Sequence, residues 1–96
     1  MKTSFVVRTT PQFDRLLKKL TQHHPDLPDR FAEAIEILQT DPYNSTRSYP
    51  IKKLQGIKAG EGQYRLRLKR WRFRYDIWGR EVELNYCGLR REDTYR

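Results

Sequence analysis

The sequence has few of the residues from which disulfides and metal sites are built. Cys87 is the single cysteine among 96 residues, and the two histidines, His23 and His24, are adjacent. One cysteine excludes an internal disulfide and is typical of proteins from a reducing compartment. The same scarcity disfavours a structural zinc site. We therefore expect no metal and no cofactor, and we interpret Cys87 as a small buried residue rather than a nucleophile.

Long apolar runs are also absent. Residues 1–8 contain only a short apolar stretch, which predicts no signal peptide. No segment approaches the roughly 20 apolar residues that a transmembrane helix needs. The sequence therefore predicts a cytoplasmic protein with no membrane partner. Its length predicts one domain over residues 1–96, and because so small a domain cannot enclose a large cavity, we expect any active site on an open surface.

Acidic residues are scarce in the second half of the chain. Residues 1–43 carry six basic and six acidic side chains, whereas residues 44–96 carry fourteen basic and six acidic ones, which accounts for the net charge of +8. A basic half on a small domain is typical of a protein that binds a polyanion or an acidic partner. The alternative is a solvated surface with no ligand, and so complete an asymmetry favours the ligand.

Residues 63–77 alternate between apolar and cationic side chains on both sides of a short break at Arg70. Because successive side chains of a strand point to opposite faces, this pattern predicts two adjacent strands. The apolar side chains are expected to face a core, and they are Tyr64, Leu66, Leu68, Trp71, Phe73, Tyr75 and Ile77. The cationic side chains are expected to cover an open face, and they are Arg65, Arg67, Lys69, Arg72 and Arg74.

The elements before this stretch follow from shorter patterns. Residues 4–9 are rich in β-forming side chains and predict a first strand. Apolar residues at helical spacing between two prolines predict a helix over residues 11–22. A second helix is expected to begin at Asp26, a candidate N-cap, and to end at Asp41-Pro42.

A two-residue turn at residues 79–80 predicts a hairpin into a last strand. If the register continues without interruption, its cross-strand pairs are Ile77–Val82, Tyr75–Leu84, Arg74–Asn85, Phe73–Tyr86 and Arg72–Cys87. The element order is then β-α-α-β-β-β. This order predicts an α+β fold in which a helix hairpin packs on one face of a small antiparallel sheet.

The open face has the chemistry to bind RNA. Guanidinium groups stay charged and grip phosphates in bidentate geometry. RNA supplies its own nucleophile, the 2′-OH, so such a face could cleave RNA by aligning that hydroxyl and stabilising the developing charge. Because arginine is a poor general base, proton transfer falls to Tyr95, a lysine, a group outside the protein or solvent. The alternative is a solvated sheet face, which the uniform sign of its charge disfavours.

In this arrangement the chain resembles the RelE/ParE superfamily of toxins from bacterial type II toxin–antitoxin systems, over nearly its whole length. One landmark is the element order. The others are Asp41-Pro42, Lys53-Leu54-Gln55-Gly56, residues 63–68, Trp71-Arg72-Phe73-Arg74-Tyr75 and the tail Arg90-Arg91-Glu92-Asp93-Thr94-Tyr95-Arg96. The arginines and tyrosine of the tail favour the RelE-like branch.

The resemblance to that branch implies an mRNA endoribonuclease, or mRNA interferase. Such a toxin enters the A site of the 30S ribosome, cleaves mRNA by 2′-OH attack on the scissile phosphate without a metal, and so inhibits translation. The resemblance implies catalytic roles for Arg65, Arg67, Arg72, Arg90, Arg91 and Tyr95. The neighbouring basic residues are predicted to bind RNA, and they are Lys52, Lys53, Lys69, Arg70 and Arg74.

The chain departs from the best-known members of that branch. Arg65 and Arg67 stand where those members carry lysines, and Leu89 stands where many relatives carry a histidine. The resemblance also implies a cognate acidic antitoxin, partly disordered, that wraps the helices and the basic groove. Two alternatives remain: a ParE-like inhibitor of DNA gyrase that acts by protein binding, and a non-catalytic RNA-binding relative.

Overall fold

The structure, a computed structural model, describes residues 4–90 as two helices and five strands. The helices cover one face of the sheet, so the predicted α+β fold with its helix hairpin is confirmed. The elements are β1 (Val6–Thr9), α1 (Pro11–Thr21), α2 (Leu27–Thr40), β2 (Ile51–Lys53), β3 (Tyr64–Leu68), β4 (Trp71–Trp78) and β5 (Glu81–Leu89). The predicted site residues Arg91 and Tyr95 lie outside the described residues.

The sheet has the strand order β1-β5-β4-β3-β2. It differs from the predicted antiparallel sheet at its two edges. At one edge β1 pairs in parallel with β5, because the helix hairpin carries the chain away from β1 before the other strands begin. At the other edge β2 is an additional short strand, antiparallel to β3, in which Ile51 pairs with Leu66. The three central strands form the predicted antiparallel meander.

Each helix begins as its sequence predicts. Pro11 opens α1, and the side chain of Thr10 accepts a hydrogen bond from the N–H of Phe13 at 3.1 Å. Asp26 precedes α2 in the N-cap position, but its carboxylate makes no capping hydrogen bond. That carboxylate instead contacts the turn between β3 and β4, which joins the helix hairpin to the sheet.

The core lies between the helices and the apolar face of the sheet. Phe13 of α1 and Leu38 of α2 are fully buried against Trp71 and Phe73 of β4. Burying one such side chain contributes about 1.5–3 kcal/mol. The alternation in residues 63–77 is therefore confirmed, because its apolar members line this core and its arginines face the other way.

A bulge in β5 changes the predicted register of the last hairpin. The turn itself is as predicted, and Tyr75 pairs with Leu84, but Asn85 is an extra residue at the shift in register. The predicted pairs Arg74–Asn85, Phe73–Tyr86 and Arg72–Cys87 are therefore wrong. The observed pairs are Arg74–Tyr86, Phe73–Cys87 and Arg72–Gly88.

The bulge exchanges the faces of two side chains. Cys87 turns into the core, where burial raises the pKa of its thiol to about 12. This confirms it as a buried small residue. Tyr86, which the uninterrupted register placed on the core side, lies instead on the open face opposite Arg74.

A buried hydrogen bond holds the end of α2 against the sheet. The hydroxyl of Tyr75 donates to the carbonyl oxygen of Pro42 at 2.7 Å. Burial raises the pKa of this hydroxyl, so it stays a donor. Next to it, Asp41 closes the following loop by accepting from Ser45 N and from both N and Oγ1 of Thr46.

Replacing Tyr75 with phenylalanine tests this link. Tyr75→Phe leaves the ring in the core but leaves the Pro42 carbonyl without its donor, so we expect unfolding to become easier by about 1–3 kcal/mol. Urea denaturation measures the change. Tyr43→Phe removes the hydroxyl of a half-exposed tyrosine and is the matched control, with an expected change within about 0.5 kcal/mol. Equal stability of Tyr75→Phe and the wild type would contradict the role of the hydrogen bond.

Candidate nucleic-acid interface

The sheet face opposite the helices carries four arginines in two cross-strand pairs. Arg65 of β3 lies opposite Arg74 of β4, and Arg67 lies opposite Arg72. We call these four residues the arginine floor. Directly opposed side chains have Cβ atoms about 4.5–5.5 Å apart, and like charges in such pairs destabilise a sheet. Two like-charged pairs side by side concentrate positive charge on this face, which makes it a candidate site for a polyanion.

Acidic side chains on the same face have their own partners. Glu81 and Glu83 each form a 3.0 Å ion pair with Arg8 of the edge strand β1. Asp76, only 1% exposed, accepts hydrogen bonds from Gly62 N, Gln63 N and Asn85 Nδ2, at 2.9, 3.1 and 2.7 Å. These contacts occupy the three carboxylates with partners other than Arg65 and Arg67.

The loop before β3 folds onto this face and is held by Arg74. The guanidinium of Arg74 donates to the carbonyl oxygens of Gly62 and Glu61, at 3.2 and 3.0 Å. Gly62 adopts a φ of +83°, and a Cβ there would lie 2.9 Å from both Arg74 Cβ and Asn85 Oδ1. Only glycine fits this backbone position, because both the conformation and the space exclude a side chain.

Arg72 lies at the centre of the face. It sits between Arg67 on β3 and Gly88 on β5, and it is only 5% exposed. One of its nitrogens, Nη1, donates to the carbonyl oxygen of Trp71 at 3.3 Å. Its burial and this contact restrict the movement of the guanidinium.

Tyr86 also belongs to this face, although the predicted site did not include it. A Cβ on Gly88 would lie 2.2 Å from the Tyr86 hydroxyl, so the tyrosine side chain runs along β5 and its hydroxyl end lies above the glycine. A signal for this was present in the sequence. Val82 and Leu84 alternate in one phase and Cys87 and Leu89 in the other, and such a change of phase indicates a bulge.

The predicted RNA-binding lysines and Arg70 do not lie together. Lys52 pairs with Arg65 and extends the arginine floor to the edge strand β2. Lys53, one residue on, lies on the opposite face with its Nζ 5.7 Å from the ring centre of Tyr64. Lys69 occupies the β3–β4 turn with a φ of +57°. Arg90 follows β5, is exposed, and donates its backbone N–H to Arg70 at 2.9 Å.

Open cavities adjoin the arginine floor. One, of about 300 Å³, is lined by Lys52, Arg65 and Arg67 together with Pro50 and Ile51. A second recess, described below, borders Tyr86. A larger groove of about 610 Å³ runs between α2 and the segment before β2, but its charged lining consists of Glu33 and Glu36. We do not assign that groove to RNA, because its carboxylates would repel phosphate.

Two negative findings concern residues 4–90. No helix in this part of the chain is long and apolar enough to cross a membrane. Within the same residues, no three histidine, cysteine, aspartate or glutamate side chains are grouped so that they could hold a metal ion.

The architecture is similar to that of known toxin–antitoxin structures. A chain of the archaeal RelE–RelB complex from Pyrococcus horikoshii OT3 superposes with a TM-score of 0.66 and 23% sequence identity, covering 91% of this chain and 96% of that chain. This chain has the RelE fold. A chain of the RelB–RelE antitoxin–toxin complex from Methanococcus jannaschii gives a TM-score of 0.62 and 22% identity, with 88% and 91% covered. No protein-family model and no curated protein sequence matches the chain.

In this RelE fold, the helix hairpin is fastened to the sheet by a polar cluster around Asp26. Arg70 donates to both carboxylate oxygens of Asp26, at 2.9 and 3.3 Å, and Trp71 Nε1 donates at 2.9 Å. Arg70 also contacts His24 Nδ1 at 3.2 Å. The hydrogen bonds from Arg70 and Trp71 lower the pKa of Asp26 well below its usual range. These contacts occupy Arg70, and its RNA-binding role remains a prediction.

The Asp26 cluster predicts a dependence of stability on pH. Because folding lowers the pKa of Asp26, its stabilising effect is present above the unfolded pKa of about 3.9 and is lost as pH falls below it toward the folded pKa. We expect the wild type to exceed Asp26→Asn in urea stability at about pH 6, and the difference to shrink at about pH 3. Asp14→Asn controls for the lost charge. A difference that stays constant with pH would contradict the assignment.

Gly62 predicts a second change in stability. Gly62→Ala places a Cβ against Arg74 and Asn85 in a backbone conformation that alanine resists, so we expect a loss of about 1–3 kcal/mol in unfolding free energy. Gly56→Ala is the matched control, because Gly56 has a φ of +73° but open space around it. Urea denaturation should rank Gly62→Ala below Gly56→Ala. The reverse ranking would show that the loop does not press on the open face.

Proposed function

We propose that this protein is the toxin of a type II toxin–antitoxin system and that it cleaves mRNA on the arginine floor. The observation that carries the proposal is the clustering of four arginines in two cross-strand pairs, Arg65–Arg74 and Arg67–Arg72, on the sheet face opposite the helices. Such a concentration of positive charge favours the binding of a phosphate backbone. The RelE fold supports the assignment, because similar chains occur in RelE–RelB complexes.

The proposed reaction needs no external nucleophile. The 2′-oxygen of a ribose attacks the adjacent phosphorus, and the bond to the 5′-oxygen of the next nucleotide breaks. The products are a 2′,3′-cyclic phosphate and a free 5′-hydroxyl. A base takes the proton from the 2′-OH, and an acid returns one to the leaving oxygen, so charge and atoms balance. The phosphorus carries extra negative charge in the transition state, which guanidinium groups stabilise.

The floor residues divide this work by position. Arg72, buried and fixed at the centre, is suited to hold the phosphoryl oxygens as their charge grows. Arg65 and Arg67, from the neighbouring strand, are placed to align the strand on either side of the scissile bond. None of them is suited to act as a general base, because a guanidinium group stays protonated. We propose Tyr95, Arg90 and Arg91 of the tail as the remaining catalytic groups, with ribosomal groups as a further source of proton transfer.

The proposal includes three partners. An mRNA held in the A site of the 30S ribosome is the substrate. An acidic antitoxin is the inhibitor, because carboxylates placed over the arginine floor would offset the same like-charge repulsion that RNA offsets. The M. jannaschii structure is a RelB–RelE antitoxin–toxin complex, and the P. horikoshii structure is a RelE–RelB complex. Action in the cytoplasm follows from these partners.

Primer extension on an mRNA in a reconstituted translation reaction tests the activity. We expect discrete cleavage with the wild type and roughly 10²-fold slower cleavage with Arg65→Ala/Arg67→Ala, since each removes a charge at the scissile phosphate. Arg72→Lys should also be slow, because lysine keeps the charge but not the bidentate geometry. Arg15→Ala/Lys18→Ala removes the same charge from exposed positions of α1 and should cleave normally.

Two outcomes would contradict the proposal. Intact message with folded wild type would exclude the nuclease. Equal loss of cleavage in the floor variants and the helix variants would show that the floor arginines contribute only their net positive charge. A DNA gyrase supercoiling assay, run in parallel, tests the alternative of a ParE-like inhibitor. Inhibition of gyrase by a protein that leaves the mRNA uncleaved would support that alternative.

A further inference from the structure

Beside the arginine floor lies a recess of a different chemical character. It has a volume of about 280 Å³ and is lined by Gln12, Gly60, Glu61, Arg74, Asn85 and Tyr86. Its side chains include two amides and a phenol ring beside the charged Glu61 and Arg74, whereas the floor is purely cationic. We propose that this recess binds one RNA base, and that Tyr86 and Gln12 thereby determine which nucleotide is cleaved. The inference rests on the proposed nuclease function.

The position of Tyr86 depends on two features of β5. The bulge at Asn85 turns its side chain to the open face, opposite Arg74. Gly88, two residues on, leaves the space in which the hydroxyl end of the ring lies, since any Cβ there would be 2.2 Å from that hydroxyl. The ring therefore lies along the sheet above the glycine. A tyrosine laid on a sheet in this way is a stacking platform for an unpaired base.

The recess is at the right distance from the floor. Arg74 lies directly across from Tyr86, and Arg72 lies on the diagonal, because it pairs with Gly88. In a sheet, directly opposite residues have Cβ atoms about 5 Å apart, and diagonal neighbours are about 7–8 Å apart. A phosphate on the arginine floor and the base of an adjoining nucleotide on Tyr86 are therefore close enough to be bound together. Phosphate contacts position a nucleic acid, and base contacts specify it.

The walls of the recess are suited to a base rather than to a second phosphate. Asn85 is held rigid, because its Nδ2 donates to Asp76 at 2.7 Å and lies 3.5 Å from the carbonyl oxygen of Gly60. Gln12, in the first turn of α1, is exposed and presents an amide that can pair with the edge of a base. Ligand sites are typically about 300–1,000 Å³, so a recess of about 280 Å³ suits one base.

Cleavage of an mRNA library with all four bases around the cut site tests the inference. For the wild type we expect a preference at one nucleotide position. Tyr86→Ala should reduce that preference roughly tenfold, because stacking on one aromatic ring is lost. Tyr86→Phe should retain it, since the ring remains. Gly88→Ala should reproduce Tyr86→Ala, because the added Cβ displaces the ring. Tyr43→Ala, at a half-exposed tyrosine outside the recess, is the matched control.

The outcomes separate this inference from the function on which it rests. Wild-type cleavage with no base preference, or a preference unchanged in Tyr86→Ala, would contradict base binding in the recess. Neither result would contradict the proposed nuclease function. If the wild type cleaves no mRNA, a direct RNA-binding measurement tests whether a base stacks on Tyr86. A single-stranded RNA carrying 2-aminopurine should lose fluorescence on the wild type and on Tyr86→Phe, but not on Tyr86→Ala. Equal quenching by all three proteins would overturn base stacking on Tyr86.

Discussion

The open face depends on the hydrogen bonds that the buried carboxylate of Asp76 accepts. It accepts from two backbone N–H groups at the start of β3 and from the side chain of Asn85 in the bulge of β5. One residue of the central strand thus fixes both the loop on one side and the bulge on the other. Leaving such donors without an acceptor in a buried site costs about 1–3 kcal/mol each. The bulge in turn sets the face on which Tyr86 lies.

The open face is divided by charge rather than uniformly basic. Arg8 collects the two glutamates of β5 at one end, and the loop of Gly62 covers Asp76 in the middle. The arginine floor occupies the other end. This separation explains how a chain can carry opposed arginines and still fold, since the apolar side of the same strands packs into the core. The face that packs against the helices stabilises the fold, and the opposite face carries the arginines proposed to bind RNA.

Much of the fold could be predicted from periodicity, and the exceptions have physical causes. The helices, the alternation in residues 63–77 and the turn at Gly79 depend on local spacing, which a sequence displays directly. The bulge at Asn85 shows in the sequence only as a change of phase among the apolar residues of β5. Its extra residue is held by contacts with distant parts of the chain, namely Asp76, nine positions away, and the loop at Gly62. For the site, spacing predicted that Arg65, Arg67, Arg72 and Arg74 share a face. Spacing could not show that Lys53 points away from the arginine floor toward the ring of Tyr64. Nor could it show that Arg70 is bound by Asp26, since both contacts are tertiary.

The parallel pairing of β1 with β5 has a consequence for synthesis of the protein. β1 is made first, yet its partner in the sheet is the last strand, and Val6 pairs with Glu81. Contacts between such distant residues form slowly, because a long loop must close before they gain any stability. β5 also carries Tyr86 and Gly88 and completes the strand pairing of Arg72. A nascent chain therefore cannot complete the sheet around Arg72 until β5 has emerged from the ribosome.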